Sequence, residues 1–157
     1  MSTKEYVRDL RRLVGHAPVN FVGAAGLICN AAGEVLLQRR QGSERWGLVA
    51  GIAELGEPLE QTLRREVQEE LGLTVQAAEF LELLEPEGLS RVTNGDEFYS
   101  YTALYRVTAW AGTPVPDGIE IAEARFFSLS EFPPLTRLGR KAREVVLSPT
   151  ALNGMLI

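Results

Sequence analysis

The stretch GIAELGEPLEQTLRREVQEELGL, residues 51–73, carries most of the information in this chain. Its second half predicts a helix over 58–71, with Gly72 as the residue that ends it. Apolar residues recur there at helical spacing: Leu59, Leu63, Val67 and Leu71. Beside this stripe, Glu66, Glu69 and Glu70 stand at i, i+3 and i+4. Their carboxylates therefore share one face of the helix.

Three like charges on one helix face repel each other, by ~0.2–0.5 kcal/mol per neighbouring pair at an exposed surface. The repulsion grows beside an apolar core, where screening is weaker. Arg65 can pair with Glu69 one turn later, but one cation does not balance three anions. Magnesium prefers carboxylate oxygens and often binds them together with substrate phosphates. The acidic trio therefore predicts either a solvated, charge-laced face or a divalent cation site.

The loop before the helix adds two more carboxylates, Glu54 and Glu57. It also contains Gly51 and Gly56, which permit tight turns and let a backbone carbonyl approach a cation.

The order of residues over 51–73 resembles the Nudix box of the Nudix hydrolase superfamily (MutT-like). The segment runs without a gap through Gly51, five residues, Glu57, seven residues, Arg65-Glu66, an aliphatic residue, any residue, Glu69-Glu70, any residue, Gly72 and the aliphatic Leu73. So long a match favours the cation site over the solvated face.

The resemblance implies an α/β (α+β) fold, a Nudix-like α/β/α sandwich with a mixed β-sheet. It implies a hydrolase that cleaves the diphosphate linkage of a nucleoside diphosphate joined to another moiety, such as a nucleoside triphosphate or a nucleotide sugar. Water attacks one phosphorus and a second phosphate leaves. The implied cofactor is Mg²⁺ or Mn²⁺, and the implied partner is a small nucleotide-type diphosphate.

The resemblance also implies metal ligands. Glu66, Glu69 and Glu70 would hold the metals or activate the water. Glu57 would support a metal, directly or through water, and the carbonyl of Gly51 would join the coordination.

Arg65 would orient the glutamates, above all Glu69, and takes a catalytic role with Glu66, Glu69 and Glu120. Glu120 precedes a late strand, where relatives carry a further metal ligand or general base. An exposed loop carboxylate is the alternative for Glu120, and Asp96 and Glu97 are weaker rivals for its role.

Substrate recognition is predicted outside this motif. Arg39, Arg40 and Arg45 suit phosphate groups geometrically, although exposure without function is an equal alternative. Trp46 and Tyr99 could stack on a base, with core packing as the alternative. Val49-Ala50 replaces the common Pro-Gly before the box. We expect this change to alter the substrate approach and to leave metal binding intact.

The remaining pattern predicts one Nudix domain over 1–157, with an N-terminal helical extension at 1–17 and a C-terminal tail at 148–157. Thr3 is the expected N-cap of a helix over 3–14. A turn at 30–33 predicts a hairpin. The expected strands cover 19–28, 34–39, 73–84, 98–110 and 124–129, and a last helix covers 135–147.

The net charge of −5 argues against binding DNA or long RNA. No apolar run is long enough to cross a membrane. The single cysteine, Cys29, favours a reducing, cytoplasmic setting. A homodimer is an open expectation.

Two rival functions remain at this stage. One is a non-catalytic nucleotide sensor, which would usually lose box glutamates. The other is an isoprenoid diphosphate isomerase, for which Cys29 and the lone His16 give poor support. Removal of a diphosphate from the 5′ end of RNA is a third reading, which the acidic charge disfavours.

Overall fold

A computed structural model describes residues 2–148 of the chain. The elements in chain order are α1 (Thr3–Val14), β1 (Val19–Ile28), β2 (Val35–Arg40), β3 (Trp46–Gly47), β4 (Val49–Ile52), α2 (Leu59–Leu71), β5 (Thr74–Leu84), β6 (Ser90–Arg91), β7 (Glu97–Ala111), β8 (Ile121–Phe127) and α3 (Arg137–Leu147). The elements predicted from the sequence are present, with ends displaced by a few residues. Of the predicted C-terminal tail, residues 149–157 lie outside the described part.

The strands form two sheets. The larger has the order β4-β1-β7-β5, with β6 paired to β7, and it is mixed because β1 and β7 run parallel. The smaller sheet has the antiparallel order β3-β2-β8. This mixed α+β arrangement is that of a Nudix-like α/β/α sandwich, so the predicted fold class is confirmed.

The predicted hairpin between β1 and β2 is wrong. An isolated bridge between Cys29 and Val35 joins them. A strand has two edges for pairing, and β1 uses its edges for β4 and β7. Strand β2 therefore pairs within the smaller sheet.

Helix α2 is held against the sheets by its apolar side. Leu63, Val67 and Leu71 are at most 1% exposed and pack in one cluster with Ala24 and Ile28 of β1. A second cluster contains residues of α3 and Leu27. Burial of one α2 stripe leaves the neighbouring face, with its glutamates, at the edge of the core.

The ends of α2 follow from backbone chemistry. Pro58, the predicted first helical residue, is the N-cap, so the helix begins one residue later, at Leu59. Gly72 ends the helix in the left-handed conformation at φ 69° and ψ 15°, and its N–H donates to the Gln68 carbonyl. Glycine adopts that conformation without steric cost. The register of the acidic trio is thereby set from both ends.

Candidate active site

The acidic face of α2 borders a cleft of about 410 Å³. Its walls come from the start of α1, the end of β2, β4 with the loop after it, α2, and the residue before β8. The lining residues are Ser2, Thr3, Lys4, Arg40, Ala50, Gly51, Ile52, Glu54, Glu66, Glu69, Glu70 and Glu120. The structure thus brings the predicted Glu66, Glu69 and Glu70 together with Gly51 and Glu120.

The carboxylates of the trio differ in burial. Glu66 and Glu70 are 8% and 3% exposed, whereas the Glu69 side chain is 58% exposed. Burial raises the pKa of both Glu66 and Glu70, because desolvation disfavours the charged form. A carboxylate buried in this way needs a cation or a hydrogen-bond donor close by.

Glu70 has two such donors. Its Oε2 accepts a 2.5 Å hydrogen bond from the amide of Gln38, and its Oε1 accepts one of 3.2 Å from Arg40. Gln38 is 4% exposed, and its Oε1 has no hydrogen-bond partner among the described residues. Gln38 and Arg40 are two residues apart on β2, so both side chains project to the same side.

Arg65 connects the loop to the helix. It donates to both oxygens of Glu57 at 2.9 Å, to Glu66 at 2.7 Å and to the Ile52 carbonyl at 3.1 Å. Its distance to Glu69 is longer, 3.4 Å. In this geometry Arg65 lies closer to Glu57 and Glu66 than to Glu69, the partner expected from the sequence. The folded loop brings Glu57 closer than the residue one helical turn away.

Both carboxylate oxygens of Glu57 accept hydrogen bonds from Arg65. Its side chain is 6% exposed, and one of its oxygens also accepts a 2.7 Å hydrogen bond from Thr62. The Arg65 hydrogen bond is the main reason that the pKa of Glu57 falls to about 2. Glu57 is not part of the cleft lining in the described chain. In this geometry it holds Arg65 in place.

Gly51 lies where no side chain fits. A Cβ atom there would be 2.1 Å from both Cδ and Oε1 of Glu66. On the neighbouring strand, a Cβ at Gly23 would be 2.2 Å from the Gly51 carbonyl oxygen. Gly51 thus lets the Glu66 carboxylate approach β4 closely, and Gly23 lets β1 approach the Gly51 carbonyl. Val49 and Ala50, which stand in the place of the common Pro-Gly, are the first two residues of β4.

Glu120 reaches the cleft, and its predicted rivals do not. Its carboxylate is 3.2 Å from Lys4 Nζ and 3.5 Å from Arg40 Nη1. Asp96 instead pairs with His16 at 2.7 Å, and Glu97 pairs with Arg91 at 3.2 Å.

The three arginines predicted to bind substrate do not all face the cleft. Arg40 lines the cleft. Arg39 projects to the other side of β2, where it pairs with Glu123 at 2.7 Å. Arg45 lines an adjoining recess of about 260 Å³ together with Arg40 and Gln38. Arg40 and Arg45 therefore remain available to a bound anion, and Arg39 is turned away.

The two aromatic residues predicted to stack on a base, Trp46 and Tyr99, do not line the cleft of the described chain. Trp46 is 5% exposed, packs edge-on against Phe127 with ring centroids 4.9 Å apart, and lies under Arg125. Its predicted stacking on a base is wrong, because its faces are already covered by the core. Tyr99 is 37% exposed on β7 and does not line the cleft of the described chain.

Sequence reasoning missed two residues of the site. Gln38 carried a weak signal, because it is a polar residue that directly follows the apolar run Val35–Leu37 and alternates with Arg40 on β2. Lys4 lies on the basic face of the predicted first helix, and only the tertiary fold brings the start of that helix to the cleft.

The carboxylates are at present turned toward protein donors. Among residues 2–148, no group of three or more Asp, Glu, His or Cys side chains is arranged to hold a metal ion. In the same part of the chain, no helix combines the length and apolar character needed to cross a membrane.

A family model described as NUDIX domain matches residues 19–148. The chain therefore belongs to the Nudix family, whose members are hydrolases acting on diphosphate bonds. The resemblance found in residues 51–73 is confirmed by this match.

Named relatives show the same affiliation. The chain is 32% identical over 118 residues to the NAD-capped RNA hydrolase NudC of Vibrio vulnificus, covering 73% of this chain and 40% of that protein. It is 30% identical over 89 residues to the RNA pyrophosphohydrolase of Aeromonas hydrophila, covering 57% and 45%. The chain thus spans less than half the length of each of these relatives.

A solved structure agrees over nearly its full length. The MutT NUDIX hydrolase from Burkholderia pseudomallei is 28% identical, with a TM-score of 0.69, and the match covers 80% of this chain and 97% of that one.

Proposed function

We propose that this chain is a metal-dependent hydrolase that cleaves the diphosphate linkage of a nucleoside diphosphate joined to another moiety. A nucleoside triphosphate or a nucleotide sugar is the substrate class. The observation that carries the proposal is the convergence of Glu66, Glu69, Glu70 and Glu120 on the one cleft that Gly51 borders.

The residues fit Mg²⁺ or Mn²⁺ in their chemistry. Such hard cations take carboxylate and carbonyl oxygens. Glu66, Glu69 and Glu70 would hold the metal, and the absent side chain at Gly51 leaves the Glu66 carboxylate its place. When bound, the metal neutralises charge on the phosphoryl group and lowers the pKa of a coordinated water.

The protein groups prepare the rest of the reaction. Arg65 holds Glu66 at 2.7 Å and is itself fixed by Glu57, so the carboxylate is oriented before substrate arrives. Gln38 and Arg40 do the same for Glu70. Glu120, 39% exposed at the opposite wall, is the proposed general base or further ligand.

The rival functions gain little support. A sensor would be expected to lack box glutamates, and all are present here. An isomerase would need its cysteine in the cleft, whereas Cys29 follows the last residue of β1 and packs, partly buried, against the core. A cytoplasmic location and a homodimer remain predictions.

The test includes RNA as a separate substrate, because two of the relatives are named for RNA substrates. The purified chain should be incubated with nucleoside triphosphates, nucleotide sugars, ADP-ribose and a 5′-triphosphate RNA, each with Mg²⁺, Mn²⁺ or EDTA. Metal-dependent release of a nucleoside monophosphate and the complementary phosphate product from a small substrate supports the proposal. Cleavage of the RNA alone would replace the substrate class. No metal-dependent cleavage at all would favour the sensor.

A further inference from the structure

Helix α1 brings a residue to the cleft from outside the matched family domain, which begins at residue 19. Ser2, Thr3 and Lys4 all line the cleft, facing the acidic residues of α2. This segment therefore forms a wall of the proposed active site, although the motif that identified the site lies some fifty residues further along the chain.

The start of α1 is fixed in place. Ser2, and not the predicted Thr3, is its N-cap. The Ser2 hydroxyl accepts a hydrogen bond from the Glu5 N–H at 3.2 Å, and the Glu5 carboxylate accepts one from the Ser2 N–H at 2.9 Å. Thr3 is thereby free to donate to the Ile52 carbonyl at 3.4 Å, one residue after Gly51.

The other end of α1 is held by Arg11, whose side chain is 10% exposed. It donates to the carbonyls of Ala17 and Glu97 at 2.7 Å each. Anchors at both ends position the helix even though none of its residues is fully buried. Lys4 is consequently presented at the rim of the cleft by a defined backbone.

Lys4 and Arg40 are the two cationic side chains that line this cleft in the described chain. Both are paired with Glu120, Lys4 at 3.2 Å and Arg40 at 3.5 Å, and Arg40 also reaches Glu70 at 3.2 Å. Among residues 2–148, Glu120 is the ion-pair partner of Lys4, whose side chain is 81% exposed. Exposed pairs of this kind are weak and exchange partners easily.

We propose that Lys4 is a substrate-binding residue whose ammonium group binds a phosphate oxygen of the diphosphate substrate. The inference rests on the proposed function of the cleft. A diphosphate entering between carboxylates requires added positive charge on the side away from the trio. An ammonium group with three donors on a flexible stem supplies charge-assisted hydrogen bonds to phosphate. In the free protein, Glu120 is the resting partner of this group.

The test measures binding of α,β-methylene ADP, a non-hydrolysable diphosphate, with Mg²⁺ by titration calorimetry. Lys4→Gln is expected to raise the dissociation constant about tenfold, the low end for a hydrogen bond to a charged group. Lys4→Arg, which keeps the charge, should stay within about threefold of the wild type. The matched control is Arg8→Gln on the same helix, since Arg8 lies outside the cleft lining and should leave binding unchanged.

A purely structural role makes a different prediction. If Lys4 only holds α1 in place, Lys4→Gln should lower the urea midpoint together with the affinity. If Lys4 binds phosphate, Lys4→Gln weakens binding of the probe while its urea midpoint stays at the wild-type value. The urea midpoints of all variants verify folding.

Unchanged affinity in Lys4→Gln overturns the inference. So does an equal loss in Arg8→Gln, a urea midpoint that falls together with the affinity in Lys4→Gln, or a wild type that does not bind the probe. Failure of the proposed function is read separately. A wild type that cleaves no diphosphate, yet binds the probe through Lys4, would refute the hydrolase and retain the binding residue.

Discussion

Replacing Gly51 by alanine should slow hydrolysis on the order of 100-fold while the domain stays folded. The new Cβ would lie 2.1 Å from Cδ and Oε1 of Glu66 and 2.5 Å from its Cγ. Ordinary carbon contacts need about 3.5 Å or more, so the carboxylate must withdraw by roughly 1 Å or further. A displacement of that size in a reacting group costs on the order of 100-fold in rate.

The effect on stability should be smaller. Glu66 is a flexible side chain that can turn away, so the overpacking is expected to cost about 1–3 kcal/mol of unfolding free energy. The assay pairs kcat/KM on the best substrate of the panel with urea unfolding of the same preparation.

Gly26→Ala is the matched control. Its Cβ would meet Leu63 Cδ1 at 2.8 Å in the core, away from the carboxylates. It should destabilise the fold by a similar amount and keep most of the activity. A folded Gly51→Ala variant within a few-fold of wild-type activity would refute the reasoning. So would an equal activity loss in folded Gly26→Ala.

Other substitutions test the remaining parts. Glu69→Gln or Glu70→Gln should cut the rate at least ~100-fold with the fold retained, and full activity in either variant contradicts the mechanism. Leu63→Ala removes a side chain that is 1% exposed under α2. It should lower the urea unfolding free energy by about 2–5 kcal/mol, and a loss below ~1 kcal/mol would mean that α2 is not packed as described. Arg65→Met removes the ion-pair partner of buried Glu57. It should lower the unfolding free energy of EDTA-treated protein by ~3–5 kcal/mol. Arg65→Lys should recover only part of that loss, because lysine lacks the planar fork; a complete recovery would show that charge alone matters.

Much of the site could be predicted from the sequence because its chemistry is local. On one helix, spacing alone decides which side chains share a face, so Glu66, Glu69 and Glu70 could be grouped without a structure. The helix end at Gly72 was predicted for the same reason. Glu120 was found through the resemblance, since nothing in its own neighbourhood marks it.

Apart from helix ends misplaced by one residue, the errors concern contacts between different elements and loops. Helical spacing suggested Glu69 for Arg65, but a folded loop supplied Glu57. A short turn suggested that β1 pairs with β2, but β1 pairs instead with β7, which lies far along the chain. The sequence around Trp46 does not show whether its ring points into the core or into the cleft. The place of Lys4 in the cleft could not be predicted, because it depends on how α1 docks.

The most direct measurement is diffraction from crystals grown with Mn²⁺, with and without α,β-methylene ADP, using anomalous scattering to locate the ion. The carboxylates of Glu66, Glu69 and Glu70 should rotate from their protein partners onto a peak inside the cleft. A cleft free of manganese in both crystals would contradict the account and leave these glutamates as partners of arginine and glutamine alone.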